Sequence, residues 1–362
     1  MSDSKIKLLF FGELPPEVIH GVSLSNKINT DLLSEIAEVT VIEEKWNLRE
    51  HNQFTFYKIF SALKSIIKIF NTSRKSSFDI FYSVLYVSGF GAIKNILSVL
   101  VVKLGNRRTK IIIHIHRSDL LQKINSSRLF KCYISGLNFF GAIFIVLSQT
   151  QKNECNKFLD RVYVLYNCID ESQVYPISKM TRSDKIRFLY ISNYIEEKGI
   201  LDLLVAFRGL NELSKIQLDC YGGFTDPLTE KHIKKLTKGI QEISINPPVF
   251  GASKNKVLNE ADVVILPSHN EGVPLVLLEA LRLAKPIVIT KVGYINEVLG
   301  EDYPLYSIPK DIESIQKASI NAIKIHGRSD FKTFLNEIYQ NFNQKNHHKQ
   351  LDKIVYETLS VY

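Results

Sequence analysis

The stretch that decides the fold is "DVVILPSHNEGVPLVLLEALRLAKPIVIT", Asp262 to Thr290. "DVVILPS" is a short β-branched run closed by proline and serine, the pattern of a buried strand. "HNEG" follows as a loop. "PLVLLEALRLA" reads as a helix with Pro274 in its first turn, where a missing N–H costs nothing, and "PIVIT" as a second strand. Strand, helix, strand is the unit of a parallel sheet. Ligands of such open sheets sit beyond the carboxyl ends of the strands, which places Glu271 at a site. Glu279 then lies about one and a half turns into the helix. The helix N-terminus offers free N–H groups and about half a positive charge, suited to phosphate. The structural alternative is that Glu271 caps the helix and Glu279 pairs with Arg282.

The same alternation extends in both directions. Strand-like runs precede it at 5–12, 38–44, 78–87, 110–116, 142–148 and 161–167, with helical patterns between. They are continuous rather than alternating, as strands covered on both faces are. From Asn167 to Arg187 the chain turns polar and irregular, which reads as a linker. Strands resume at 186–192, 216–222 and "PVFG" (248–251). The expectation is two doubly wound α/β domains in tandem, 1–170 and 171–345, with 346–362 as a helix crossing back to the first.

Of 362 residues, 45% are hydrophobic and 23% charged, which fits a globular protein with an ample core. The N-terminal apolar run is too short for a signal peptide. No window approaches the roughly 18 apolar residues of a spanning helix. Four scattered cysteines with no C-x-x-C pair point to a reducing compartment and away from structural zinc. The expected location is the cytoplasm, at the inner face of the cell membrane if lipid binds. A net charge of +9 implies an anionic partner. "FTFYKIFSALKSIIKIF" (54–70) sets Phe56, Ile59, Phe60, Leu63, Ile66, Ile67 and Phe70 on one helical side and lysines on the other. Such a helix suits an anionic membrane surface or simply covers the sheet.

"PSHNEGVPLVLLEALRLAKPIVIT" resembles the E-x7-E signature of glycosyltransferase family 4, retaining enzymes of the GT-B fold, two Rossmann-like domains facing a cleft. Near-complete coverage follows from "VYVLYNCID" (162–170), where Asn167 and Asp170 match an N-x-x-D element, and from "FLYISNYIEEKGILDLLVAF" (188–207). The resemblance implies that Glu271 faces the donor sugar and Glu279 the nucleotide ribose. It implies that amides near Gly272, Pro274 and Leu275 approach sugar and phosphate, and that Lys198 meets the diphosphate. Where the family often has Gly-Arg, this chain has Ser192-Asn193, so Asn193 donates hydrogen bonds without charge. His116, at the carboxyl end of "KIIIHIH", matches a histidine that meets the sugar, whereas His114 reads as packed in the strand. Gly21 is a weak match to a glycine-rich first loop. Asp119 is an acceptor-side group or a helix cap, "SGFGAIKN" (88–95) an acceptor-side loop or a turn, and "YGGF" (221–224) a turn near the nucleobase. No D-x-D triplet occurs.

The expected activity is metal-independent, retaining transfer of a hexose-type sugar from a nucleotide diphosphate donor to a hydroxyl of a glycan or lipid-linked glycan, in bacterial surface polysaccharide synthesis. No separate cofactor and no nucleic-acid partner are expected. Alternatives are a nucleotide-sugar epimerase of the same fold and a catalytically silent binding protein. A nicotinamide-dependent oxidoreductase would share the tandem domains, but the first βα turn lacks G-x-G-x-x-G.

Overall fold

Burial on both faces, expected from the unbroken apolar runs, is what the strands show. All residues of "IFYSV", "AIFIV", "VVIL" and "IVIT" are buried. The computed structural model describes residues 5–44, 56–177, 184–210 and 215–360, with backbone alone for 56–58. The chain divides into two compact units, Met1–Asn167 with Lys345–Tyr362, and Cys168–Gln344.

The first unit runs β1 (Ile6–Gly12), α1 (Gly21–Ile36), β2 (Ala37–Glu43), α2 (Phe56–Lys75), β3 (Ile80–Val84), α3 (Gly89–Gly105), β4 (Lys110–His114), α4 (Leu120–Ser126), α5 (Arg128–Phe139), β5 (Ala142–Val146), α6 (Gln149–Cys155) and β6 (Val162–Val164). Its six strands are parallel in the order β2-β1-β3-β4-β5-β6. Leu9, Phe11, Phe81, Ile111, Ile113, Phe144 and Val146 build one face of its core. Each such side chain contributes about 1.5–3 kcal/mol by leaving water.

The second unit runs β7 (Ile186–Ile191), α7 (Ile200–Arg208), β8 (Ile216–Tyr221), α8 (Pro227–Thr237), β9 (Ile243–Asn246), α9 (Gly251–Glu260), β10 (Val263–Leu266), α10 (Leu275–Arg282), β11 (Ile287–Thr290), α11 (Ile295–Leu299), β12 (Tyr306–Ser307), α12 (Ile312–Ile325) and α13 (Ser329–Asn341). Its order, β12-β11-β10-β7-β8-β9, is again parallel. Finally α14 (Gln344–Ser360) returns to the first unit. There His347 sits 2.7 Å from the Tyr166 carbonyl and from Asn29 Oδ1.

Two expectations need correction. "PVFG" is not a strand: the pairing falls on Ile243–Asn246, because Pro247 and Pro248 have no N–H for a ladder. Pro274 is not inside the helix but is its N-cap, with ψ 138°. Of the linker, 178–183 lie outside the described residues, as do 54 and 55 of the basic amphipathic stretch. In the described part of α2, Ala62 and Ile69 are buried while Phe60, Leu63 and Ile67 are exposed. The helix thus covers the sheet with one stripe and leaves a second apolar stripe outside. Among the described residues no helix is long and apolar enough to cross a membrane.

Candidate active site

In the second unit β7 lies between β8 and β10, and the connections after β7 and β10 leave in opposite directions. A crevice opens at such a switch point, flanked by the loops after β7 and β10. The loop after β7 ends in a tight 3-10 turn, Glu196–Lys198, closed by Gly199 at φ 71°. A Cβ on Gly199 would meet the Pro267 carbonyl oxygen at 1.9 Å, so only glycine lets the two loops approach. The His269 N–H donates to the Glu197 carbonyl at 2.8 Å, and His269 Nε2 lies 2.6 Å from Asp202 Oδ2. Gly293, at φ 58°, packs under the Glu271 carbonyl, where a Cβ would come to 1.8 Å.

This scaffold brings Lys198 and Glu271 together. The Lys198 ammonium donates to Glu271 Oε1 at 2.7 Å, and the Ser268 hydroxyl donates to the same oxygen at 2.8 Å. Lys198 is 29% exposed at the side chain against 8% for Glu271. The carboxylate is therefore fixed and the ammonium still reaches solvent. Glu271 does not cap the helix. No side chain caps the N-terminus of α10, where Gly272, Pro274 and Leu275 lie. Its amides remain available to an anion.

The five aliphatic residues between the glutamates serve the spacing. Val276, Leu277 and Leu278 are buried and hold α10 to the sheet, with Glu279 only 6% exposed among them. Glu279 does not pair with Arg282. Its Oε1 accepts from Lys254 on α9 at 2.6 Å, while Arg282 lies over the Tyr339 ring and 4.0 Å from Glu171. Asn193 begins the turn after β7, its carbonyl accepting from Ile195 N and the Tyr190 hydroxyl. Beside it "YGGF" forms a small aromatic wall: Tyr194, buried, lies 4.8 Å from the half-exposed Phe224 ring.

The first unit has its own switch point, with β1 between β2 and β3. A pocket of about 310 Å³ lies there, lined by Glu13, His20, Glu44, Tyr86, Lys94 and His116 among others. His20, overlooked in the sequence, caps α1: its Nδ1 accepts from the Val22 and Ser23 amides at 3.2 and 3.4 Å. The ring proton must then sit on Nε2, 2.7 Å from Glu13 Oε2. Lys94 is 5% exposed and donates to Glu44, whose other oxygen takes the Tyr86 hydroxyl. Gly21 opens α1 beside this cap, with nothing within 4 Å of where a Cβ would stand.

His116 follows β4, its ring tilted 36° against that of His114 with centroids 3.9 Å apart. Burial, with His20 nearby, pushes His116 down to about 3. Burial, with His116 beside it, also holds His114 well below the usual imidazole range. His114 Nδ1 shares a hydrogen bond of 2.6 Å with the Tyr82 hydroxyl, as a packed strand histidine should. His116 Nε2 is buried with no partner among the described residues. Asp119 stands at the N-cap of α4 but makes no cap bond; it grips Arg117 through two bonds of 2.8 and 2.7 Å. Ser88 caps α3 by accepting from Gly91, so "SGFG" is a helix start.

Two parallel Rossmann-like units in tandem, each with a polar site at its switch point, define the GT-B class of fold. Residues 185–324 match the family model described as glycosyl transferases group 1. The chain is 30% identical over 131 residues to the putative teichuronic acid biosynthesis glycosyltransferase TuaC of Bacillus subtilis, covering 36% of this chain and 31% of that protein. An uncharacterized glycosyltransferase of Methanocaldococcus jannaschii is 23% identical over 284 residues, 69% of this chain and 70% of its own. Among solved structures, sucrose-phosphate synthase from Thermosynechococcus elongatus superimposes with a TM-score of 0.76 at 14% identity, over 98% of this chain and 100% of that one. Anabaena HepE in complex with UDP and glucose does so with a TM-score of 0.72 at 14% identity, over 97% and 100%.

Proposed function

We propose that the protein is a retaining, metal-independent glycosyltransferase that moves a sugar from a nucleotide diphosphate sugar to a hydroxyl of a glycan or lipid-linked glycan acceptor. The observation that carries this reading is the Lys198–Glu271 pair beside the uncapped start of α10. When the sugar leaves, negative charge grows on the diphosphate, and stabilising it is the main catalytic task. Lys198 is close enough to solvent to exchange its carboxylate for a phosphate, with the amides of α10 behind it. Glu271, held by Ser268, then positions the sugar, and Glu279 accepts ribose hydroxyl groups. Asn193, Gly272, Pro274 and Leu275 complete the second unit's part. Gly21 and His116 are the first unit's proposed contributions to phosphate and sugar. With a lysine and backbone dipoles against the diphosphate, the reaction needs no metal, and turnover in EDTA should equal that without it.

A role in bacterial surface polysaccharide synthesis is supported by the name of the B. subtilis relative. It is also supported by the exposed apolar side chains Phe60, Leu63 and Ile67 on α2 and Ile93, Leu97 and Leu104 on α3. Lys64, Lys68 and Lys103 lie on the same helices. Each basic group near an anionic leaflet adds about 1 kcal/mol, so the protein should sediment with anionic vesicles and be released by salt. Equal recovery with neutral vesicles would remove the membrane from this reading and leave the transfer itself standing.

The activity is tested by incubating the protein with nucleotide sugars and a lipid-linked acceptor and following glycan product. Glu271→Ala should lower turnover about 100- to 1000-fold with the melting temperature preserved. An unchanged product yield in that variant would contradict transfer.

A further inference from the structure

Half-buried Glu44 and buried Glu279 are each paired with a lysine, and they are used differently. Glu44 spends both oxygens, one on Lys94 and one on the Tyr86 hydroxyl. Glu279 spends one. Its Oε1 accepts from Lys254, whose place in the chain is 25 residues earlier. Its Oε2 is buried with no hydrogen-bond partner among the described residues. The pair is largely withdrawn from solvent, with side-chain exposures of 18% for Lys254 and 8% for Glu279. Arg282, the nearest cation along α10, is drawn off to Tyr339 and Glu171. An ion pair made only to hold α9 against α10 would not leave a carboxylate oxygen unsatisfied, because such an atom is costly in a buried site.

We infer that Lys254 is the positioning residue for nucleotide recognition: it fixes the rotamer and the negative charge of Glu279 so that Oε2 is presented to a vicinal diol, the ribose of a nucleoside diphosphate. The inference rests on the donor reading above. Lys254 need not touch the ligand. Without it, Glu279 would be a buried unpaired carboxylate, which gains a proton or swings toward water. Either change removes an acceptor from the ribose and leaves base and phosphate contacts in place. The signature is therefore a loss of ribose discrimination, not a general loss of affinity.

UDP, ADP and GDP are titrated calorimetrically into the full chain, and the tightest is compared with its 2′,3′-dideoxy form. The native protein should prefer the ribose form by about 10- to 100-fold, the range of a hydrogen bond to a charged group, and Glu279→Gln should lose most of that. Lys254→Met should lose the preference to the same extent while its affinity for the dideoxy form stays within about threefold of native. Lys254→Arg should keep it, and Lys254→Met with Glu279→Gln should lose no more than either alone. Lys254→Gln takes the place of the methionine variant if the latter fails to fold. A Lys254→Met protein, or the Lys254→Gln protein in its place, that keeps the native preference or weakens both forms equally overturns the role of Lys254 and leaves the donor reading intact. Binding of none of the three nucleotides, or a Glu279→Gln protein with undiminished preference, overturns both.

Discussion

Each unit carries a lysine–glutamate pair at its switch point, and the two differ in depth. In the first, Lys94 and Glu44 are 5% and 17% exposed, and Lys94 also lies 3.9 Å from the centroid of the Tyr86 ring. In the second, Lys198 is 29% exposed and its partner is fixed by Ser268. A sealed pair holds a pocket in shape, whereas a half-open one can exchange its partner for a ligand. One kind of contact thus serves as wall in one unit and as machinery in the other.

The largest effect expected from that contrast is on stability. Glu44→Gln leaves the Lys94 ammonium, 5% exposed, without its carboxylate and should cost about 3–5 kcal/mol, seen as a lower denaturant midpoint. Glu271→Gln should cost less, because the Lys198 ammonium it leaves behind is already partly in water. Equal losses would erase the distinction between wall and machinery.

Acid should separate the units next. His114 is buried and His116 half-buried in the first unit, with Tyr82, Glu13, His20 and His347 as the charged or titratable groups around them. The described histidines of the second unit, His232, His269 and His326, are not buried. A histidine depressed to about 3 in the folded state binds fewer protons than its unfolded counterpart near 6.5. Its contribution is therefore complete above about 6.5 and is lost as pH falls toward the folded value. Melting between pH 8 and 4 should show the first unit losing stability earlier, and His116→Gln should flatten that slope. A slope unchanged by the variant would contradict this origin.

The smallest effect sharpens the second site alone. Asn193→Arg restores a cation that the resemblance leads one to expect, and should tighten nucleoside diphosphate binding about tenfold, the worth of one exposed charge-assisted contact. Calorimetry at two salt concentrations checks it, since a charge effect weakens as salt rises. No gain at low salt would mean that the diphosphate does not pass Asn193.

Much of this arrangement was legible in the sequence because parallel strands and their following loops are local. Continuous apolar runs marked nearly every strand, and Lys198 and Glu271 stand just past two of them. Partners were not legible. Lys94 and Glu44 are 50 residues apart, and Lys254 and Glu279 are 25 apart; only sheet order joins them. His20 was missed because a histidine cap has no common sequence signal, unlike the serine that caps α3. In α2 the helix was legible but its inner face was not: the side that packs inward carries Ala62 and Ile69, while Phe60, Leu63 and Ile67 of the predicted apolar side stay outside.

The central claim is that the second unit holds a nucleotide diphosphate sugar through Lys198. Thermal melting of native protein and Lys198→Ala against a panel of nucleoside diphosphates and nucleotide sugars tests it most directly. At 100 times its dissociation constant a donor should stabilise the native protein by about 2.7 kcal/mol, and the variant should lose most of that shift. A panel that moves neither protein, or moves both equally, would contradict the account.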